Sequence, residues 1–259
     1  MAFAELGNVG LYYEIEGDAG LPVLVLAHSL GVNLHMWDAQ VEALAKHVRL
    51  VRYDARGQGK SSVPKGPYSV EQMGDDVLGL LDALGVEKAW FCGLSMGGSV
   101  GQWLGIHASD RIEKLVLAST AAKIGTAETW NARIAQTERE GLEPMIPATM
   151  ERWFTAGFRT AHAEQVDAIA AMIRTTKLEG YLATCAMVRD ADFRDELGTI
   201  RVSTLVISGS SDASTTPAHG RALADGIAGA KFVEVPGAHL CSVESADAFS
   251  AAVGEFFNA

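Results

Sequence analysis

A short apolar run, Ala89-Trp90-Phe91-Cys92, leads without a break into Gly93-Leu94-Ser95-Met96-Gly97-Gly98 and then into a stretch of helical period ending near His107. No other feature constrains the fold as much. A short, continuously apolar run suits a strand buried on both faces of a sheet. A helix follows at once, so Ser95 falls in the turn between strand and helix. The backbone of so sharp a turn is strained, and its neighbours must be small. Gly93, Gly97 and Gly98 supply that room. The helix start offers N–H groups and partial positive charge where an oxyanion would develop. The G-x-S-x-G pattern is weak by itself, but strand, turn and helix together make it a nucleophile elbow with Ser95 as nucleophile. The plain alternative is a glycine-rich helix start in a βα unit without chemistry.

The same alternation extends along the chain. Apolar runs at Pro22–Ala27, Val48–Tyr53, Leu115–Leu117, Thr204–Ile207 and Lys231–Val235 read as further strands, and Gly10–Glu16 as an early antiparallel one. Between and after them, Trp37–Lys46, Val70–Leu84, Gly97–His107, Pro217–Ile227 and Ala246–Phe257 have helical periodicity. This order predicts an α/β protein with a mostly parallel, doubly wound sheet. It stops between about Ala121 and Asp190, where only helical patterns occur: Thr129–Glu140, Pro147–Phe158, Ala163–Arg174 and Leu178–Arg189. That segment is too long for an ordinary loop. It is expected to be an inserted helical cap (residues 121–190) between two parts of the core (1–120 and 191–259).

The 259 residues suffice for a sizeable core without disulfides or metal. The net charge of -11 argues against nucleic acid or an anionic membrane as partner, and it means that an anionic substrate needs a local cation. Cys92, Cys185 and Cys241 are odd in number and widely spaced, with no disulfide framework and no zinc pattern. A reducing, cytoplasmic setting is expected, with no signal peptide, no membrane span, no metal and no cofactor. The state of association is expected to be a monomer or a small homo-oligomer.

A serine needs a base, and the base needs an orienter. Four histidines follow Ser95. His107 lies on the helix after the elbow, His162 in the insertion, and His219 at a helix start. His239, in Pro236-Gly237-Ala238-His239-Leu240, follows the last strand and so reaches the carboxyl edge of the sheet, where sites of open α/β folds lie. It is the expected base. Asp212, in the loop after Thr204–Ile207, is the expected acid, with a turn or cap residue as alternative. The oxyanion hole needs two backbone N–H groups, expected from Met96 and from Leu30 in the loop after Val23–Ala27. His28 is read as shaping that loop rather than as a base. Asp54–Ser61 lacks the spacing of a phosphate loop and reads as a strand-end turn.

At this point the chain resembles the 3-oxoadipate enol-lactone hydrolases of the α/β-hydrolase superfamily. Ser29-Leu30-Gly31, His35-Met36-Trp37-Asp38, Arg52-Tyr53-Asp54-Ala55-Arg56-Gly57 and Phe91–Gly98 carry the likeness in the core. Thr120–Gly125, Trp130-Asn131-Ala132-Arg133-Ile134, Arg152-Trp153-Phe154-Thr155 and Glu179-Gly180-Tyr181 carry it in the insertion. There are departures: Ala27-His28 stands where the family more often has Ser-Asn, Gln58 where it usually has His, and Ala213–Thr216 where it usually has a proline-containing loop.

The resemblance implies a carboxylic ester hydrolase without cofactor, opening a small lactone in the β-ketoadipate route of aromatic catabolism. The lactone bears a free carboxylate, and Arg133 is the expected clamp for it, with Trp130 and Trp153 as further substrate contacts. The alternative for Arg133 is a surface arginine paired with Glu138 or Glu140. The rival readings are a carboxylesterase or perhydrolase acting on other small esters, a carbon–carbon bond hydrolase with the same triad, and a non-enzymatic receptor of the same fold.

Overall fold

A computed structural model describes residues 2–258. Eight strands form one sheet: β1 (Ala2–Leu6), β2 (Val9–Glu16), β3 (Val23–Ala27), β4 (Arg49–Tyr53), β5 (Ala89–Leu94), β6 (Ile112–Ala118), β7 (Ser203–Gly209) and β8 (Lys231–Val235). Their spatial order is β1-β2-β4-β3-β5-β6-β7-β8. β1 pairs with β2, and β2 with β4, antiparallel; every other pairing is parallel. The mostly parallel sheet expected from the alternation is therefore present. β1 was not expected, because its five residues form an edge strand whose side chains are largely exposed or half-buried.

The helices that flank this sheet are α1 (Asp38–Leu44), α2 (Val70–Ala83), α3 (Met96–His107), α9 (Pro217–Gly226), α10 (Cys241–Glu244) and α11 (Ala246–Asn258). Their starts have local causes. Ser69 and Gln72 form a reciprocal capping box for α2. Pro217 opens α9, where its missing N–H costs nothing. The central strands β3, β5 and β6 bury nearly every side chain, as parallel strands covered on both faces must.

Between β6 and β7 the chain forms five helices: α4 (Ala127–Glu140), α5 (Ile146–Trp153), α6 (Ala156–Ala161), α7 (Ala163–Thr175) and α8 (Leu178–Asp190). The single helix expected over Pro147–Phe158 is two, because Phe154 and Thr155 adopt extended backbone and Thr155 caps α6. α4 packs against α8, and α5 against α7. Among the described residues, no helix is long and apolar enough to cross a membrane.

Candidate active site

Parallel strands bring their carboxyl ends to one edge, and four loops meet there. Ser95 follows β5 directly with φ 56° and ψ −109°, a left-handed conformation that a serine adopts only when its surroundings impose it. Here the surroundings are backbone. A Cβ on Gly93 would lie 2.0 Å from the Gly97 carbonyl oxygen, and one on Gly97 would lie 2.3 Å from that of Ala27. The Ser95 N–H donates to the Ala118 carbonyl at 2.9 Å. Its own carbonyl accepts from the Thr120 hydroxyl at 3.0 Å. No side chain caps α3, so its first N–H groups, beginning with Met96, stay open to a ligand.

His239, in the loop after β8, presents Nε2 to Ser95 Oγ at 3.0 Å. Its Nδ1 faces Asp212 Oδ2, from the loop after β7, at 2.8 Å. Ser95, Asp212 and His239 are 8%, 3% and 3% exposed, so little water competes for these bonds. Asp212 Oδ1 accepts the N–H groups of Ser214 (2.7 Å) and Thr215 (3.1 Å). Burial pushes the Asp212 carboxyl up, but the adjacent His239 and these donors pull it further down, and the net effect is below the usual range. The carboxylate can therefore hold the Nδ1–H tautomer and leave Nε2 free to take a proton from Ser95.

The loop after β3 closes the site from the other side. His28 is fully buried. Its Nε2 faces the Ala55 N–H at 3.0 Å, which can only donate, so the ring proton sits on Nδ1 and is donated to the Ser29 carbonyl at 2.7 Å. Burial pushes the His28 imidazolium down, against the opposing pull of Asp54 and of the Ser29 carbonyl, in keeping with a neutral ring. The Ser29 carbonyl and the Leu30 N–H belong to one peptide unit. His28 thus shapes the loop that carries Leu30, as expected, and lies outside the serine–histidine pair.

The remaining histidines have other surroundings. His107 packs on Trp103, His162 stacks on Phe158 with centroids 4.6 Å apart, and His219 caps the start of α9. The turn over Asp54–Ser61 is structural: Asp54 accepts the Leu34 and Lys60 N–H groups at 2.8 and 2.7 Å. The cysteines are all buried. Burial pushes the Cys185 thiol up to about 11 and the Cys241 thiol up to about 12, so neither supplies a thiolate at neutral pH.

A cavity of about 100 Å³ lies over Ser95, walled by Leu30, Met96, His239 and, from the helices between β6 and β7, Trp130, Arg133, Arg152 and Trp153. Pockets for drug-sized ligands run to roughly 300–1,000 Å³, so this one suits a smaller molecule. It shares Trp130, Arg133, Arg152 and Ser214 with an open groove of about 560 Å³. Trp153 packs over the His239 ring, 6.1 Å between centroids, and its carbonyl accepts the Leu240 N–H at 3.1 Å. The Arg133 guanidinium lies over the rings of Trp130 (5.3 Å) and Tyr181 (5.7 Å), a cation–π arrangement. Among the described residues it has no carboxylate within 4.0 Å; Glu140 pairs with Arg139 instead.

Arg152 was not anticipated as a site residue. It too lacks a carboxylate partner among the described residues and donates to the Thr149 hydroxyl at 3.2 Å. Burial, and then the charge of Arg133, push its guanidinium down. Its place in the last turn of α5, directly before Trp153, was the available signal.

A family model described as alpha/beta hydrolase fold matches residues 22–246. The chain is 40% identical to 3-oxoadipate enol-lactonase 2 of Acinetobacter baylyi over 95% of this chain and 92% of that one. It superposes on the crystal structure of the enol-lactonase from Burkholderia xenovorans LB400 with a TM-score of 0.98, at 43% identity and with both chains fully covered. A thermophilic esterase from Thermogutta terrifontis, solved with malate bound, is more distant: 31% identity, TM-score 0.91, covering 96% of this chain and 93% of that one.

Proposed function

The chain belongs to the α/β hydrolase fold family, in the group of the 3-oxoadipate enol-lactonases, and from that premise we propose that it opens 3-oxoadipate enol-lactone to 3-oxoadipate through Ser95, His239 and Asp212. The observation that carries the reading is the chain of contacts from Ser95 Oγ to His239 Nε2 (3.0 Å) and from His239 Nδ1 to Asp212 (2.8 Å), set beneath two arginines that have no carboxylate partner among the described residues.

Ser95 Oγ attacks the lactone carbonyl carbon while His239 Nε2 takes its proton. The carbonyl oxygen becomes an oxyanion against the N–H groups of Leu30 and Met96, each such donor being worth roughly 2.7–4 kcal/mol in transition-state stabilisation. The ring C–O bond then breaks. The leaving group is an enolate, which His239 protonates and which ends as a ketone tethered to Ser95 through the new ester. Water, deprotonated by His239, attacks that ester and releases 3-oxoadipate with Ser95 restored.

The free carboxylate of the lactone enters a protein of net charge -11 and needs a local cation. Arg133, lying over the rings of Trp130 and Tyr181, presents a fork of N–H donors suited to it, and Arg152 adds a second charge beside it. Trp130 and Trp153 supply apolar walls for the ring.

The test is a spectrophotometric assay of enol-lactone disappearance with Ser95→Ala as control. Turnover that falls by roughly 10⁵–10⁶-fold in the variant is expected, by analogy with loss of a catalytic serine elsewhere. A higher specificity constant on aryl acetates than on the enol-lactone would instead favour a carboxylesterase or perhydrolase for neutral esters.

A further inference from the structure

The reaction above depends on where the Leu30 N–H points, and the present inference rests on that reading. His28 holds the carbonyl of the 29–30 peptide. The next two peptides are held as well. The Gly31 N–H donates to Gln58 Oε1 at 2.9 Å, and the Gly31 carbonyl accepts from the Thr176 hydroxyl at 2.9 Å. Three successive peptide units of the loop are each fixed by one buried side chain.

Two of these anchors lead into the inserted helices. Thr176 lies between α7 and α8. Gln58 uses the other end of its amide, Nε2, to donate to the Thr184 hydroxyl on α8 at 3.1 Å. Thr184 in turn donates to the Gly180 carbonyl one turn earlier at 2.8 Å. Gln58 and Thr184 are 1% and 0% exposed, so no water substitutes for either contact. The amide cannot flip, because a flip would set its NH₂ against the Gly31 N–H. The backbones also touch: a Cβ on Gly180 would lie 2.0 Å from the Gly57 carbonyl oxygen.

We propose that Gln58 and Thr184 are positioning residues of the oxyanion hole, through which helix α8 of the insertion sets the direction of the Leu30 N–H. Neither touches the reacting atoms. A shift of α8 moves Thr184, then the Gln58 amide, then Gly31, and so tilts the adjoining peptide. The hole is complete only when the inserted helices are seated on the core.

Steady-state kinetics on 4-nitrophenyl acetate, with inhibition by phenylboronic acid, test this without depending on the lactone. Phenylboronic acid forms a tetrahedral adduct on a serine oxygen and places an oxygen in the hole. Gln58→Met is expected to lower kcat by about tenfold or more, part of the roughly 10²–10³-fold cost of losing a whole donor, with KM within about twofold. Affinity for phenylboronic acid should fall by the same factor. Thr184→Val should move both quantities in the same direction by several-fold, and Thr184→Ser, which keeps the hydroxyl, should restore them. The double variant should be no worse than Gln58→Met, since both break one path. Wild-type kcat in Thr184→Val, a loss confined to KM, or losses that multiply in the double variant would each overturn the proposal. If Gln58→Met fails to fold, the Thr184 pair decides. Turnover that survives Ser95→Ala removes the nucleophile reading and this inference together. Turnover that needs Ser95 but ignores Thr184 removes this one alone, and failure on the lactone removes only the substrate.

Discussion

The Thr215 hydroxyl donates at 2.8 Å to Asp212 Oδ2, the same carboxylate oxygen that His239 Nδ1 faces at 2.8 Å. With the Ser214 and Thr215 N–H groups on Oδ1, the carboxylate has four donors and no freedom to turn. Its task in the proposed mechanism is to hold one tautomer of His239. Asp212→Asn keeps the shape but offers an NH₂ where an acceptor is needed. We expect kcat to fall about 10⁴-fold with the fold retained, read by ester turnover alongside circular dichroism. Loss of less than about tenfold would remove Asp212 from the mechanism.

The same carboxylate gives a pH prediction. Its folded-state value lies below the usual one, so its ionised form stabilises the fold. That contribution is fully present above the unfolded-state value of about 3.9 and is lost as pH falls through the lower native value. Urea midpoints of wild type and Asp212→Asn should therefore differ at pH 6 and converge as the pH is taken below about 4. A gap that widens in that acid range would contradict it.

Arg133 and Arg152 should act on specificity rather than on chemistry. A charge-assisted hydrogen bond contributes about 1.5–3 kcal/mol, which is roughly 10–150-fold in a specificity constant. Arg133→Ala is expected to lose that much on the enol-lactone and almost nothing on a neutral aryl acetate. Arg152→Ala should shift the ratio in the same sense by less, because Arg152 is the more exposed of the two. An unchanged specificity constant for the carboxylated lactone in Arg133→Ala would sink the clamp.

The placement of Ser95, Asp212 and His239 at strand ends was legible in the sequence because each follows an apolar strand whose end is marked by glycine or a polar turn. Order along the chain then placed them on one edge. The placement of Leu30 beside the cavity, in the loop after β3, was legible for the same reason. Arg152 was not, because a charged residue at the end of an amphipathic helix reads as a solvated face, and only the packing of α5 aims it at the cavity. The link from Gln58 to Thr184 spans 126 positions, and no local pattern announces it. β1 was missed because an edge strand with one buried side chain has no continuous apolar run to betray it. The break within Pro147–Phe158 was missed because the hydrophobic period continues across Phe154, while the backbone extends there.

The elbow predicts an outcome at a position that carries no side chain. A Cβ at Gly93 would meet the Gly97 carbonyl oxygen at 2.0 Å and its carbon at 2.3 Å, and neither can retreat without moving α3. Gly93→Ala should therefore displace Ser95 from His239. The expected result is a loss of turnover of at least about 10²-fold, in line with the cost of an ångström-scale misplacement, together with a lowered melting temperature. By contrast Gly254→Ala, inside α11 where a Cβ meets nothing within 4 Å, should leave turnover unchanged and raise the melting temperature slightly, because alanine favours a helix interior over glycine by about 0.5–1 kcal/mol.

Arg56 and Asp76 make the clearest prediction for stability. The guanidinium and carboxylate meet through two bonds of 2.6 Å, and both residues are about 5% exposed, 5% and 4%. Burial pushes the Asp76 carboxyl up more than Arg56 pulls it down, so the pair lies where a lone charge is costly. Arg56→Met removes the partner and strands the carboxylate, at a cost of roughly 3–5 kcal/mol in urea unfolding at pH 7. Because a raised native value means that the folded state holds the proton more tightly, protonation relieves that cost. The deficit of the variant should shrink as pH falls from 7 towards 4. Arg56→Met combined with Asp76→Leu should recover most of it, since an apolar pair of similar volume carries no desolvation cost. A double variant as unstable as Arg56→Met alone would mean that the loss comes from packing against Tyr68, whose ring lies 5.6 Å from the guanidinium, and not from the stranded charge.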